Sequence, residues 1–312
     1  MSGKAPEWLA ADALGIARAA EMLRGGALVA VPTETVYGLA ARADSETAVA
    51  EVFRAKGRPD FNPLIVHVAS LAMALELARF DERAEALAAR FWPGPLTLVL
   101  PARASGVVPA VTAGLATIAL RMPDHPATRR LLEAVALPLA APSANRSGAV
   151  SPTTPEHVAD SLGGAVAAIL DGGPCLRGVE SSIVALREGA GWQLLRPGPI
   201  PVEEVTALLG APSAPAEAGI EAPGQLARHY SPGKPVRLGA DEAAEDEFLI
   251  GFGAVGGDCS LSDEGDLALA AARLYACLHQ AAASSKPRIA VAPVPEQAIG
   301  AAINDRLRRA AA

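Results

Sequence analysis

Short apolar runs of strand length alternate with longer segments of helical periodicity along nearly the whole chain. Residues 27–31 have the length of a strand, whereas residues 8–23 and 46–56 are predicted helices. This alternation is typical of α/β proteins, in which helices cover the faces of a sheet. Some predicted strands, such as residues 182–186 and 192–195, follow one another without an intervening helix. We therefore predict an α/β fold built on a mixed sheet.

A change in composition divides the chain. Its 312 residues exceed the usual domain size of about 100 to 200 residues. Residues 210–235 are rich in Ala, Pro, Gly and Glu and lack apolar periodicity, as is typical of a linker. We predict a first domain over residues 1–209, a linker over 210–235 and a small α/β domain over 236–312.

Charge and cysteine content exclude several classes of function. The formal net charge is −7, which argues against sequence-independent nucleic-acid binding as the main activity. The cysteines, Cys175, Cys259 and Cys277, are far apart and form no Cys-x-x-Cys pair, so neither a zinc site nor a disulfide framework is indicated. No apolar run resembles a signal peptide or a membrane span. We expect a cytoplasmic protein without a membrane segment.

Polar residues cluster directly after predicted strands, where open α/β sheets place their ligands. Thr35 lies in residues 32–39, PTETVYGL, which leave the strand at residues 27–31. Hydroxyls and a carboxylate in succession also suit a helix cap, but Tyr37 and Gly38 exceed what a cap requires. The segment is a candidate binding loop, with a cap as the alternative.

Two cations two residues apart, Lys56 and Arg58, lie in a turn with glycine and proline, and Asn62 and His67 follow. Such a turn suits a polyphosphate better than a solvated helix face, along which charges are distributed at helical spacing. His67 falls inside a predicted strand over residues 64–68, where a satisfied core histidine is an equal alternative. The segment is a candidate phosphate site.

Three further candidate segments also adjoin strands. Arg121 ends a predicted strand and suits a bidentate contact with a carboxylate or phosphate, with a surface ion pair as the alternative. Ser143 and Asn145 lie among small residues that let a ligand approach the backbone, with a simple turn as the alternative. Ser181, before a strand, and Arg196, after one, are weak evidence by themselves.

The sequence supports neither of two familiar nucleotide-binding motifs. Residues 251–256, GFGAVG, match Gly-x-Gly-x-x-Gly, but no helix opens directly there and no acidic residue ends the next predicted strand, residues 288–292. No Gly-x-x-x-x-Gly-Lys-Ser/Thr loop is present. Any nucleotide must therefore be held by a different kind of binding site.

An ordered set of segments resembles the YrdC-like threonylcarbamoyl-AMP synthase family over about residues 14–210. Residues 229–235, HYSPGKP, are similar to the linker signature of its longer, two-domain form. The resemblance implies a YrdC-like twisted mixed sheet with helices, plus a small Rossmann-like C-terminal α/β domain. The segments that carry it are residues 32–39 (PTETVYGL), 56–59 (KGRP), 142–145 (PSAN) and 180–183 (ESSI).

The family reaction implied by this resemblance joins L-threonine, bicarbonate and ATP into threonylcarbamoyl-AMP and pyrophosphate. A separate tRNA-modifying threonylcarbamoyl transferase machinery consumes the product, so direct tRNA binding is not obligatory. Mg²⁺ is expected to arrive with ATP rather than on protein ligands, because substrate phosphates commonly hold it.

Matching positions imply roles for twelve residues. Those around threonine would be Thr35, His67, Arg121 and Ser181, with Arg121 suited to the carboxylate and Ser181 or Thr35 to the hydroxyl. Those around ATP would be Lys56, Arg58, Asn62, Ser143, Asn145, Ser151, Arg196 and Tyr230, with Lys56 and Arg58 facing the phosphates and Tyr230 closing over the nucleotide.

Other functions remain open from sequence alone. The same fold has been linked to double-stranded RNA, which the acidic charge disfavours. A carbamoyl-adenylate-forming enzyme of the hydrogenase-maturation type shares the core but normally carries a cysteine-rich zinc segment, which is absent here. A serine hydrolase would use Ser143 or Ser182, but no Gly-x-Ser-x-Gly elbow supports it.

Overall fold

The first part of the chain forms a large mixed sheet. The computed structural model describes residues 5–104, 106–187, 189, 191–213, 221–225 and 229–312. Within these residues ten strands form one sheet in the order β1-β8-β2-β3-β7-β4-β6-β5-β9-β10, with parallel and antiparallel neighbours. The strands are β1 Glu7–Ala10, β2 Val29–Val31, β3 Gly38–Arg42, β4 Ile65–His67, β5 Leu96–Pro101, β6 Thr117–Arg121, β7 Leu139–Ala140, β8 Ala168–Asp171, β9 Ser182–Leu186 and β10 Trp192–Arg196.

Several helices begin where a side chain caps their free backbone N–H groups. Asp12, Ser45 and Asp81 each accept a hydrogen bond from the third residue of the following helix. Gly57 ends α2 in a left-handed conformation that glycine adopts without strain. The helices are α1 Ala13–Arg24, α2 Glu46–Lys56, α3 Leu71–Leu77, α4 Glu82–Phe91, α5 Pro109–Thr112, α6 Pro126–Val135, α7 Pro155–Leu162 and α8 Val202–Leu209.

A second, smaller sheet follows the linker. Its described strands pair in the order β11-β14-β12-β13, and every pairing is parallel. The predicted mixed sheet and the smaller C-terminal α/β unit are confirmed. The elements are β11 Val236–Leu238, β12 Glu247–Gly251, β13 Cys259–Ser260, β14 Arg288–Val291, α9 Leu267–Ala283 and α10 Gly300–Ala311.

The exact domain boundaries, 1–209 and 236–312, stay a prediction. Part of the predicted linker, residues 214–220 and 226–228, lies outside the described residues. Of the helices in the described part of the chain, none combines the length and apolar character needed to cross a bilayer.

The start of the chain differs from the sequence prediction. The helix predicted over residues 8–23 begins only at Ala13, because Glu7–Ala10 form β1 and pair in parallel with β8. Leu9 points into the core from this edge strand. Four residues are too few for periodicity to separate strand from helix, so the pairing partner decides.

The two units share a hydrophobic cluster. Val36, Val150 and Val179 of the first unit join a cluster that includes Tyr230, Tyr275 and other C-terminal residues. This packing places α9 and α10 against the loops that follow β2 and β7.

Candidate functional site

A pocket lies among the loops that leave the central strands of the large sheet. Tyr230 and residues 223–224 of the linker close one side of it. The residues that line it are Thr33, Val36, Gly38, Arg58, Ile65, His67, Arg121, Ala141, Pro142, Ser143, Glu180, Arg196, Pro223, Gly224, His229 and Tyr230.

Arg58 is fixed on the pocket wall by backbone carbonyls. It follows α2, and its Nε and Nη2 donate to Asn62 O at 3.2 Å and Pro63 O at 2.9 Å. Burial and the nearby Arg196 lower the Arg58 pKa to about 10, so the guanidinium stays charged at neutral pH. Among the described residues no carboxylate forms an ion pair with it. Such a buried cation is suited to an anionic ligand.

Arg196 lies beside it on the wall. It donates to Ser181 O and Ser181 Oγ, each at 3.0 Å, and to Pro223 O at 3.3 Å. Ser181 Oγ also lies 2.7 Å from Thr97 Oγ1. Burial is the main cause that lowers the pKa of Arg196. The Ser181 hydroxyl therefore orients Arg196 from behind the wall.

Lys56 faces away from the open space. Its buried Nζ donates to Ser143 O at 2.6 Å and Asn145 O at 2.5 Å. Burial, and then the charge of Arg58, hold the Lys56 pKa well below its usual value. Lys56 thus secures the loop that presents Ser143 to the pocket.

Two buried amide oxygens have no partner in the described part of the chain, Asn62 Oδ1 and Asn145 Oδ1. Asn145 Nδ2, by contrast, donates to Arg146 O and Ala149 O, which fixes the side chain. Buried acceptors without partners are costly. They are therefore available to a ligand hydroxyl or to bound water.

His67 and Arg121 lie side by side, because β4 and β6 pair at these two residues. Arg121 Nη2 forms a buried ion pair with Glu34, and Arg121 Nε donates to Gly94 O at 3.3 Å. Burial, and then Arg121, lower the His67 pKa to about 3, so the imidazole is neutral at physiological pH. This end of the pocket offers a guanidinium beside a neutral imidazole.

Glu180 is the acidic residue on the wall, and several side chains hydrogen-bond to its carboxylate. Ser151 Oγ donates to it, and Tyr275 of α9 and Arg306 of α10 reach it from the C-terminal unit. Burial opposes its ionisation, but the cations Arg306 and Arg196 outweigh burial and lower its pKa to about 2. Glu180 is therefore ionised and poorly suited to take a proton.

Tyr230 covers the pocket from the linker. Its backbone is left-handed, with φ of 65°. Its ring packs edge-on against His229, with 4.1 Å between the two ring centroids. This backbone conformation is uncommon for a non-glycine residue.

Comparison with known proteins covers both units. Residues 21–198 match the Sua5_yciO_yrdC family, described as telomere recombination, and residues 200–312 match the threonylcarbamoyl-AMP synthase C-terminal domain. The threonylcarbamoyl-AMP synthase of Pyrococcus abyssi is 43% identical over 319 residues, spanning 94% of this chain and 92% of that protein. The chain belongs to the threonylcarbamoyl-AMP synthase family.

Further relatives support the same family membership. The threonylcarbamoyl-AMP synthase of Bacillus subtilis is 46% identical over 231 residues, 72% of this chain and 66% of that protein. The crystal structure of P. abyssi Sua5 complexed with L-threonine superposes with a TM-score of 0.89 at 37% identity, covering 99% of this chain and 98% of that chain. As a Sua5-type threonylcarbamoyl-AMP synthase, the chain is an enzyme that uses ATP.

The pocket of this threonylcarbamoyl-AMP synthase brings together half of the residues predicted from sequence. Arg58, His67, Arg121, Ser143, Arg196 and Tyr230 line it. Thr35, Lys56, Asn62, Asn145, Ser151 and Ser181 are buried but are not among the lining residues. Five of them hydrogen-bond to backbone or neighbouring side chains, and Asn62 keeps a buried Oδ1 without a partner among the described residues.

Sequence reasoning missed Glu180 as a site residue, and with it Tyr275 and Arg306. One signal was present for Arg306, because it falls on the buried face of α10 with Ile303, Leu307 and Ala310. A charge in an apolar stripe implies a buried partner, although the sequence does not say which.

Proposed function

We propose that L-threonine, bicarbonate and ATP meet in this pocket and leave it as threonylcarbamoyl-AMP and pyrophosphate. The observation that carries the proposal is the pair of buried guanidinium groups of Arg58 and Arg196 on one wall, neither forming an ion pair with a carboxylate among the described residues. Two adjacent cations of this kind raise each other's free energy until a polyphosphate neutralises them.

ATP is assigned to the side of the pocket formed by Arg58, Arg196 and Ser143. The unpartnered oxygens of Asn62 and Asn145 support contacts with hydroxyl groups of the ligand or with bound water. The remaining ATP residues act less directly, because Lys56 holds the Ser143 loop and Ser151 holds Glu180. Tyr230 is proposed to close over the nucleotide.

Threonine is assigned to the end of the pocket formed by His67 and Arg121. Arg121 would bind the amino-acid carboxylate, and the neutral imidazole of His67 leaves its unpartnered Nδ1 to a ligand. Thr33 lies on the pocket wall, and its Oγ1 lies 2.8 Å from Thr35 Oγ1. Thr35 would therefore influence the threonine hydroxyl indirectly, by orienting the hydroxyl of Thr33. Ser181 would act through Arg196.

The reaction needs no protein nucleophile. The threonine amine attacks bicarbonate, a carbamate forms and water leaves. A carbamate oxygen then attacks the α-phosphorus in line, and the bond to the pyrophosphate oxygen breaks. Arg58 and Arg196 stabilise the charge that develops on the phosphates, while the closed pocket aligns the reactants and excludes water.

Mg²⁺ fits this pocket as an ion carried by ATP. Glu180, the acidic side chain on the wall, is already bound by Arg306, Tyr275 and Ser151. The ion would supply charge neutralisation for the leaving pyrophosphate. By analogy with the family, we also propose that a separate tRNA-modifying transferase consumes the adenylate that this enzyme makes. The net charge of −7 does not favour direct tRNA binding by the enzyme itself.

Serine is expected to replace threonine poorly. The pocket wall contains Val36, Ile65 and Ala141, and losing one methyl contact in an apolar pocket costs about 1 to 3 kcal/mol. We therefore expect kcat/KM for serine to be about 10- to 200-fold lower than for threonine. Valine should be worse still, because it leaves the hydroxyl-binding groups unpaired.

Pyrophosphate release from MgATP measures this selectivity and tests the proposed function in the same assay. Release should require both the amino acid and bicarbonate, and it should stop when either is omitted. Release with valine as fast as with threonine, or release that does not depend on bicarbonate, would refute the proposed function.

A further inference from the structure

We infer that Arg306 of the C-terminal unit is a positioning residue for ATP, because it neutralises the Glu180 carboxylate and keeps it from pairing with the cations of the phosphate site. The inference rests on the proposed function, since it takes Arg58 and Arg196 as the groups that bind the polyphosphate. It gives the small C-terminal α/β unit a direct part in forming the pocket.

Arg306 spans two backbone segments of the first unit. Its side chain is fully buried, its Nε donates to Glu180 Oε2 at 2.9 Å and its Nη1 donates to Pro197 O at 2.8 Å. Nη1 also lies 2.9 Å from Asp305 Oδ2, and Nη2 lies 3.4 Å from Glu180 O. One guanidinium therefore fixes Glu180 and Pro197, the residue directly after Arg196.

Other contacts complete the hydrogen bonding of the Glu180 carboxylate. Ser151 Oγ donates to Oε1 at 2.6 Å, and Tyr275 Oη lies 3.0 Å from Oε1 and 2.8 Å from Oε2. Two hydroxyls alone would leave its negative charge uncompensated. A buried carboxylate without its cation is strongly destabilising. We therefore expect a freed Glu180 to pair with Arg196, the other cation whose charge acts on it.

A freed Glu180 would harm ATP binding in two ways. It would occupy Arg196, and it would place an unneutralised negative charge on a wall that faces the phosphates. Like charges in a poorly solvated pocket repel strongly. Arg306 prevents both effects without touching the nucleotide.

Arg306 also supports the linker residue that covers the pocket. Its Cζ lies 5.5 Å from the centroid of the Tyr230 ring, and the Tyr275 ring lies 5.6 Å from that ring. A cation over an aromatic face stabilises the contact. The same guanidinium thus organises the wall and its cover.

The test compares Arg306→Met with the double variant Arg306→Met/Glu180→Gln. The single variant should raise KM for ATP at least tenfold and change KM for threonine less than threefold. Adding Glu180→Gln removes the unneutralised charge, so it should return most of the lost ATP affinity. A merely structural role for Arg306 predicts that the double variant stays as poor as the single one, which would overturn the inference.

Two further variants keep the test decisive. Arg308→Met removes a neighbouring arginine of α10 whose side chain is 58% exposed, and it should leave KM for ATP unchanged within twofold. Should Arg306→Met fail to fold, Arg306→Lys decides: it keeps a cation beside Glu180, so the inference predicts a KM for ATP within threefold of the unmodified protein, and a tenfold rise overturns it. Absence of threonine-dependent pyrophosphate release in the unmodified protein would instead refute the proposed function.

Discussion

Replacing Arg58 by alanine is expected to lower kcat/KM for ATP by about a thousandfold, equivalent to about 4 kcal/mol of transition-state stabilisation. The guanidinium is buried and already oriented by the carbonyls of Asn62 and Pro63. A preorganised cation of this kind needs no rearrangement when charge develops on the phosphates. Initial rates of pyrophosphate release at varied ATP concentration measure the effect.

Arg54→Ala is the matched control. Arg54 lies one turn earlier on α2, its side chain is 71% exposed and it pairs with Glu51 on the surface. A surface substitution of this kind changes stability by less than about 0.5 kcal/mol, so its kcat/KM should stay within twofold of the unmodified enzyme. Equal losses in the Arg54 and Arg58 variants, or an Arg58→Ala enzyme with more than a tenth of normal activity, would contradict the assignment.

Replacing Arg121 by methionine is expected to lower the free energy of unfolding by about 3 to 5 kcal/mol, because it leaves the buried Glu34 carboxylate without its cation. The same change removes the proposed partner of the threonine carboxylate, so KM for threonine should rise sharply. Denaturant unfolding measures the first effect, and a threonine titration under saturating ATP measures the second.

A double variant separates these two roles of Arg121. Adding Glu34→Gln removes the unpaired charge and should recover much of the lost stability, since replacing both members of a buried ion pair costs far less than breaking it. Threonine binding should not recover. Arg130→Ala is the control, because Arg130 of α6 is exposed, and it should change neither stability nor threonine binding. Recovery of both properties in the double variant would show that Arg121 has no role in binding threonine.

Local sequence signals singled out two arginines, Arg58 and Arg121, that line the pocket in the structure. Arg121 ends a strand, and Arg58 lies in a glycine and proline turn that leads into one. Side chains at such positions meet at one edge of an α/β sheet. The roles of Arg58 and Arg121 as ligand contacts stay predictions, whereas their convergence on one pocket follows from strand order.

Other parts of the site depend on contacts that no local pattern specifies. Lys56 and Arg58 are two residues apart, yet Lys56 binds the Ser143 loop and Arg58 faces the pocket, because Gly57 reverses the chain between them. Arg306 meets Glu180 across 126 residues of sequence. Contacts of that separation depend on how the C-terminal unit packs, and periodicity within α10 carries no information about its partner.

Product analysis after incubation with ¹³C-bicarbonate, L-threonine and MgATP tests the central claim most directly. The account predicts an adenylate whose mass equals AMP joined to threonine through one labelled carbonyl, formed in step with pyrophosphate and lost when threonine is omitted. Pyrophosphate formed with AMP alone, or with threonyl-AMP that lacks the labelled carbon, would contradict it.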